Sequence, residues 1–215
     1  HASVRAQGVR AIGRLLSMSA LAERSKLLGS VVPAHRDGDA AVRAAVADAL
    51  GRITSSATTD TIVQQTLETL VRDSMASTRL RAVEALGSLP AMARREALHT
   101  ALNDSSAAIR HAAVLQVRRD TLALAEMQAQ SVKLLVDSSA PVRLAVVRAL
   151  GSLSMARYPN VSTALRARLT DADSTIRTEA SHALTRFHAQ GGRDPSHEPT
   201  LLERCKQLPP RTRGC

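Results

Sequence analysis

Residues 137–153 read DSSAPVRLAVVRALGSL, and the pattern at their start returns along the chain. In this motif, an Asp is followed five residues later by an apolar residue and then at once by an Arg. The Arg recurs as Arg5, Arg43, Arg79, Arg110, Arg143 and Arg177, at spacings of 38, 36, 31, 33 and 34 residues. A period of about 34 residues is typical of an array of helical hairpins.

A helix follows each motif, as the spacing of the apolar residues indicates. After Val142, apolar residues stand four, seven, eight and eleven positions on, at Val146, Ala149, Leu150 and Leu153. These positions form one stripe along an α-helix. The same columns predict helices, here called motif helices, that start near residues 4, 42, 78, 109, 142 and 176.

A glycine stands nine positions after the apolar residue in four copies, as Gly13, Gly51, Gly87 and Gly151. It either ends the helix in a left-handed conformation or lets a neighbouring helix come close. The fourth copy has Arg118 in this place, and it has Gln116 and Asp120 where other copies have Ala and Leu. We expect a bend in the array at this repeat, with a binding site as the alternative.

Between the motif helices lie further amphipathic stretches, at about 19–32, 59–73, 90–103, 121–136 and 157–170. Each repeat is therefore a hairpin whose second helix is the motif helix. One hairpin cannot bury its apolar faces alone, so hairpins stack into a solenoid. With one Phe, one Tyr and no Trp, the core is built from Ala, Leu, Val and Ile. We predict an all-α superhelix of about six hairpins, the first of them incomplete.

The motif and the endings ADALG, VEALG and VRALG resemble HEAT repeats, particularly the short bilin-lyase-like subclass, over residues 1–187. The resemblance implies that the second helices line a concave face. It also implies a structural ladder of Asp–Arg pairs between neighbouring hairpins. In that ladder Asp37, Asp73, Asp104, Asp137 and Asp171 would pair with Arg43, Arg79, Arg110, Arg143 and Arg177.

The composition changes after Phe187. Residues 188–200 contain HAQGGRDPSHEP, which is rich in turn formers and reads as a linker. Residues 201–208 place Leu201, Leu202, Cys205 and Leu208 on one face of a possible capping helix. Residues 209–215 form a tail.

Recognisable catalytic chemistry is missing from the sequence. The two cysteines, Cys205 and Cys215, stand near the end of the chain, and the seven histidines are scattered without metal-ligand spacing. HEAT-like hydroxylases depend on several His-Glu pairs, whereas this chain has only His197-Glu198. We therefore predict no enzyme, no metal and no cofactor. A HEAT-like lyase or hydroxylase stays a minor alternative on fold analogy alone.

Two solvent-facing rows of the motif helices are candidates for binding. The predicted partner-binding residues, six or ten positions after the apolar residue, are Arg10, Arg14, Asp48, Arg52, Glu84, Leu115, Arg119, Arg148, His182 and Arg186. Their mixed and basic charges suit a polar protein segment. We predict a scaffold that binds a partner protein within a larger complex.

The alternative function follows from the charge. The chain has 26 arginines, three lysines and a formal net charge of +10, which is either a coding bias or a surface for phosphates. In the second case the chain binds the backbone of RNA or DNA in a ribonucleoprotein or chromatin complex.

The location of the protein is predicted only broadly. No run reaches the roughly 18 apolar residues of a membrane span, and the N-terminus lacks the regions of a signal peptide. We expect an intracellular protein, cytoplasmic or organellar, without membrane insertion. Because the chain opens with His1 inside a repeat, we also expect a piece of a longer protein.

Overall fold

The computed structural model describes residues 1–53, 61–153 and 158–189, which form α-helices joined by short turns and contain no strand. The motif helices are α1 Ala2–Leu16, α3 Ala40–Leu50, α5 Ala76–Ala85, α7 Ala107–Arg118, α10 Ala140–Leu150 and α12 Ser174–Ala189. The intervening helices are α2 Leu21–Val31, α4 Thr61–Leu70, α6 Ala91–Leu102, the pair α8 Thr121–Glu126 and α9 Gln128–Lys133, and α11 Pro159–Arg166. The chain is thus an all-α solenoid of stacked hairpins.

Each motif helix begins two residues earlier than the apolar stripe predicts. In the five motif helices that follow a motif Asp, the cause is this Asp, whose Oδ1 accepts the amide of the residue two positions on. At Asp37 this bond comes from the amide of Asp39 at 2.9 Å, and Asp39 then accepts the amide of Ala41 at 2.8 Å. Such a turn satisfies amides at the helix start, so the helix begins before its first buried residue.

Several intervening helices tighten into a 3₁₀ turn before the next motif. These turns are Val32–Arg36, Leu134–Val136 and Ala167–Thr170. The intervening helix that follows α7 is interrupted at Met127, where φ is −95° and ψ is 9°. This interruption is the irregularity that the structure shows near the fourth repeat, and it lies after the motif helix α7.

The motif helices pack on one another in chain order and form one layer of the solenoid. Their apolar stripe is buried against the intervening helices. The first stripe residue is 0% exposed in five motif helices, as Val42, Thr78, Ile109, Val142 and Ile176. In α1 the corresponding Val4 is 65% exposed.

The repeated glycines mark close approaches between motif helices. A Cβ added at Gly13 would lie 2.7 Å from the Cβ of Ala49, and one added at Gly51 would lie 2.9 Å from that of Ala85. Gly51 is right-handed, with a φ of −65°. The left-handed alternative is therefore wrong, and close packing explains these glycines.

The last described motif helix, α12, has a polar face where the others contact the next repeat. The residues two, five and nine positions after its first stripe residue are Thr178, Ser181 and Thr185, and all three are exposed. In α10 the same positions hold Leu144, Val147 and Gly151. Since α12 ends at Ala189, it passes the predicted end of the array by two residues. The rest of the predicted linker, the capping helix 201–208 and the tail 209–215 lie outside the described residues.

Candidate functional site

The motif arginines bind the motif aspartates of the following repeat. Arg43 donates from Nε to Asp73 Oδ2 at 2.6 Å and from Nη2 to Oδ1 at 2.8 Å. The same two-bond arrangement joins Arg5 to Asp37, Arg79 to Asp104, Arg110 to Asp137 and Arg143 to Asp171. Paired, charge-assisted bonds of this kind fix both distance and orientation. Five rungs thus link neighbouring hairpins.

The ladder joins neighbouring hairpins, as the resemblance implies, but each Asp is bound by the Arg of the preceding motif and not by the Arg of its own motif. Pairs within one motif, such as Asp37 with Arg43 or Asp171 with Arg177, do not form. Instead, Arg43 Nη1 donates to the main-chain oxygen of Asp37 at 2.8 Å, while the Asp37 carboxylate is held by Arg5. Each Asp carboxylate therefore has two roles. It binds the Arg of the preceding hairpin, and its Oδ1 accepts an amide in the turn that starts its own helix.

The two ends of the ladder follow from this register. Arg5, which the resemblance did not include, forms the first rung. Arg177 binds the main-chain oxygens of Asp171 and Ala172 and has no carboxylate partner among the described residues. The sequence contains a signal for the shift, since an Asp stands 25 to 32 residues after each of the five arginines.

The rungs keep their carboxylates ionised. The hydrogen bonds from Arg5 and from the Asp39 amide lower the pKa of Asp37 to about 2. At Asp171, the hydrogen bond from Arg143 outweighs the effect of burial, and the pKa is again lowered to about 2. The pKa values of Asp73 and Asp137 are lowered as well, chiefly by their arginines. Because the five arginines of the rungs are already bound to aspartates, other residues have to form any binding surface.

The predicted partner-binding residues lie along one side of the motif-helix layer. All of them are exposed except Asp48, which is half-buried. Three of them form ion pairs that the sequence analysis missed. Arg81 lies 3.9 Å from Asp48 and 2.9 Å from Glu84, and Arg148 Nη2 lies 2.7 Å from Glu179 Oε1.

The sequence contains a signal for two of these ion pairs, Asp48 with Arg81 and Arg148 with Glu179. Residues six positions after the apolar residue of one repeat meet residues three positions after it in the next repeat. Asp48 meets Arg81 in this way, and Arg148 meets Glu179. Opposite charges in those two columns predict the contact.

The residues ten positions after the apolar residue, which are mostly arginines, form fewer hydrogen bonds and ion pairs. Within the described ranges, the side chains of Arg14, Arg52 and Arg186 make no hydrogen bond or ion pair, and all three are exposed. Arg119 lies 3.4 Å from Gln116 Oε1. Exposed guanidinium groups without a partner are the cations most available to an incoming anion.

The fourth repeat forms two shallow grooves on this side, which we call the Leu115 grooves. A groove of about 240 Å³ lies between α7 and α10 and is lined in part by His111, Leu115, Arg118, Pro141, Leu144 and Arg148. A second, of about 300 Å³, lies between α5 and α7 and is lined in part by Leu80, Glu84, His111, Leu115 and Gln116. Both share Leu115, which is 41% exposed. Two of the departures of repeat four, Gln116 and Arg118, therefore line grooves that share one exposed apolar side chain.

The described residues offer neither a metal site nor a membrane span. In the three described ranges, no three His, Cys, Asp or Glu side chains are grouped so that they could hold a metal ion. None of the helices there is both long and apolar enough to span a bilayer.

Comparison with known proteins identifies the fold. No family model matches the chain, and no curated protein matches its sequence. Solved structures do match. An engineered protein has a TM-score of 0.60 at 19% identity, over 89% of this chain and 93% of that one. YibA of Escherichia coli has a TM-score of 0.61 at 18% identity, over 84% of this chain and 72% of that one. This chain has a HEAT/armadillo-like repeat fold.

A third similar structure shares this HEAT/armadillo-like architecture and contains a ligand. It is a designed armadillo repeat protein in complex with the peptide (KR)4, with a TM-score of 0.56 at 20% identity, over 84% of this chain and 92% of that one. At these identities the likeness concerns the fold alone. The bilin-lyase-like subclass stays a prediction.

Proposed function

We propose that this HEAT/armadillo-like chain is a non-catalytic scaffold that binds an extended segment of a partner protein across the motif-helix layer. The observation that carries the proposal is the position of Leu115 between two grooves, one of which is also lined by Arg118, an exposed arginine without a side-chain partner among the described residues. An exposed apolar side chain in a groove anchors a partner residue, and the surrounding charges select its neighbours. The scaffold then acts as one subunit of a larger complex.

The charge of the surface defines the partner segment. Arg118 lines one of the Leu115 grooves and, like Arg52, is exposed without a side-chain partner among the described residues. Asp173 and Glu84 also line the grooves, but Asp173 accepts the amide of Thr175 and Glu84 is paired with Arg81. A segment with an apolar residue between Asp or Glu residues therefore complements the arginines that are still free. The similar designed armadillo protein binds a peptide of the opposite, basic kind. The non-catalytic part of the proposal rests on the sequence and stays a prediction.

A peptide-binding experiment tests this function. Synthetic peptides with one Leu among Glu residues are titrated into the labelled chain, and Leu115→Asp is compared with Leu169→Asp. The two leucines are both 41% exposed, but Leu169 lies outside the motif-helix layer. We expect Leu115→Asp to weaken binding about tenfold or more, a loss of about 1.4 kcal/mol, and Leu169→Asp to leave it unchanged. Equal effects of the two substitutions would refute the proposed surface.

Nucleic acid is the second candidate partner, because Arg14, Arg52 and Arg186 are exposed and have no partner in the described ranges. If six or more phosphates are neutralised, the affinity for RNA or DNA falls by orders of magnitude between about 50 and 200 mM salt. A salt titration with a short duplex and a single strand measures that slope. The absence of binding at low salt removes this candidate.

A further inference from the structure

Two residues line both of the Leu115 grooves, and one of them is a histidine. Besides Leu115, the groove between α7 and α10 and the groove between α5 and α7 have His111 in common. His111 and Leu115 stand four residues apart on α7, so their side chains are neighbours on one face of the helix. A segment that lies in either groove against Leu115 is therefore close to the His111 imidazole.

The neighbouring repeats have leucine at the position of His111. Two residues after the first stripe residue stand Leu80 in α5 and Leu144 in α10, and each of them lines one of the two grooves. His111 is half-buried between them in the order of the repeats. Because leucine fits this position on both sides, the packing of the motif helices does not by itself explain an imidazole here.

The His111 ring makes no hydrogen bond to any residue that the structure describes. A half-buried polar group loses part of its contact with water, and this loss is unfavourable unless a new hydrogen bond replaces it. A polar atom of a partner that enters the groove can form that bond. The imidazole is thus a polar group of the grooves whose hydrogen bonds are still to be made.

The charged groups that line the grooves on the neighbouring helices have partners. On the α5 side, Arg81 lies 2.9 Å from Glu84. On the α10 side, Arg148 lies 2.7 Å from Glu179. These pairs leave little net charge beside His111 from either motif helix.

The remaining charged groups of the lining are Arg118 on α7 itself and Asp173 at the start of α12. Asp173 accepts the amide of Thr175 at 2.8 Å, whereas Arg118 is exposed and has no side-chain partner among the described residues. Helices α6 and α8, which also pack on α7, add no described residue to the lining of either groove. The free guanidinium of Arg118 favours an anionic group in the groove near His111.

We propose that His111 selects the partner segment by binding a carboxylate that stands next to the apolar residue on Leu115. This inference rests on the proposed function and adds to it one specificity-determining residue and a dependence on pH. Histidine changes its charge between about pH 8 and 5, where Asp and Glu stay largely ionised. The charged ring forms a stronger hydrogen bond with a carboxylate than the neutral ring does, so the affinity rises as pH falls towards about 6.

Two matched peptides test the proposal at constant ionic strength. One has a single Leu among Glu residues, and the other has Gln in place of every Glu. Each is titrated at about pH 8 and about pH 6 into the 215-residue chain, and fluorescence anisotropy measures the affinity. We expect the Glu peptide to bind about threefold to tenfold more tightly at the lower pH. The Gln peptide should bind equally at both pH values.

Substitutions of two histidines complete the experiment. His111→Gln keeps a hydrogen-bond donor but does not titrate, so the Glu peptide should bind this variant equally at both pH values. His99→Gln, at an exposed residue of α6 that lines neither groove, should keep the wild-type dependence on pH. Circular dichroism checks the fold of each variant. If His111→Gln loses helix content, His111→Leu replaces it, because Leu80 and Leu144 show that leucine fits this column.

The results separate this inference from the proposed function. If Leu115→Asp weakens the Glu peptide, but the rise in affinity at low pH is absent or survives the substitution of His111, the role of His111 is overturned and the proposed function stands. An equal rise for the Gln peptide also overturns it, because no carboxylate is then involved. If the Glu peptide does not bind, or if Leu115→Asp leaves its binding unchanged, the proposed function falls and the role of His111 falls with it.

Discussion

Arg143 of α10 holds Asp171 of the next repeat through two hydrogen bonds, from Nε at 3.0 Å and from Nη2 at 2.9 Å. The third guanidinium nitrogen, Nη1, donates to the main-chain oxygen of Asp137 in its own repeat at 2.9 Å. One side chain therefore joins two consecutive turns. Since the Asp171 side chain is only 3% exposed, water cannot readily replace the guanidinium.

Replacing Arg143 with Ala should destabilise the array by about 1.5 to 3 kcal/mol, because it leaves a buried carboxylate without its main partner. Arg168, which lies 3.4 Å from Asp171, compensates only in part. Contacts in a solenoid are made between neighbours, so hydrogen exchange should rise most in α10 to α12 and least in α1. Thermal unfolding and amide exchange measure this. The control is Arg10→Ala, at an exposed residue, and an equal loss for both variants would contradict the role of the rung.

Replacing Arg148 with Ala should cost less than replacing Arg143, although the two stand on the same helix. Arg148 pairs with Glu179, but its side chain is 42% exposed and that of Glu179 is 26% exposed. Exposed ion pairs contribute about 0.2 to 1 kcal/mol. Urea unfolding of Arg148→Ala, of Glu179→Gln and of the variant with both substitutions gives the coupling free energy of this pair. A coupling larger than that of Arg143 with Asp171 would be incompatible with these exposures.

Low pH should weaken the ladder. The pKa of Asp171 is about 2 in the folded chain and 3.8 for the free group, so the folded state favours the ionised form. The stability from this lowered pKa is complete above about pH 4 and is lost as pH falls through about 2. For Asp171 it amounts to about 2 kcal/mol. Urea unfolding between pH 7 and 2 should show a shallower pH dependence for Asp171→Asn than for the wild type. Asp48→Asn, outside the ladder, should keep the wild-type slope.

Two glycines of α1 should respond in opposite ways to alanine. At Gly13 a Cβ would lie 2.7 Å from the Cβ and 2.8 Å from the Cα of Ala49, and we expect Gly13→Ala to destabilise by about 1 to 3 kcal/mol. At Gly8 nothing lies within 4 Å of an added Cβ, so Gly8→Ala should stabilise by up to about 1 kcal/mol through helix propensity. Melting curves decide the sign. A stabilising Gly13→Ala would show that α1 and α3 are not in close contact.

The repeat made most of the fold predictable from the sequence. One stripe, seen six times, located the motif helices to within two residues, because the buried positions of a helix recur with a fixed period. In five of the six motif helices the two-residue error arose from Asp37 and its equivalents, whose side chains start the helix before the first buried residue.

The candidate site was harder to predict. Exposure of Arg10 and Arg148 followed from the helical period, but the partner of Arg148 lies one hairpin away and depends on the stacking register. The same register decided which Asp each motif Arg binds. The Leu115 grooves depend on how Gln116 and Arg118 fit against neighbouring helices. A period measured along one chain contains no information on that fit, which only the packed structure provides.

The polar face of α12, the last described motif helix, should limit association through this surface. Replacing Thr178 with Leu and Ser181 with Val gives α12 the residues that α10 has at the same positions, Leu144 and Val147. An apolar face of that pattern packs on a neighbouring motif helix elsewhere in the array, and its exposure favours association. We expect the double variant to form larger species at concentrations where the wild type does not, as measured by sedimentation velocity. A control with Thr69→Leu and Ser30→Val, at exposed positions of α4 and α2, should sediment as the wild type does. If the α12 variant also sediments unchanged, then the polarity of this face does not limit association.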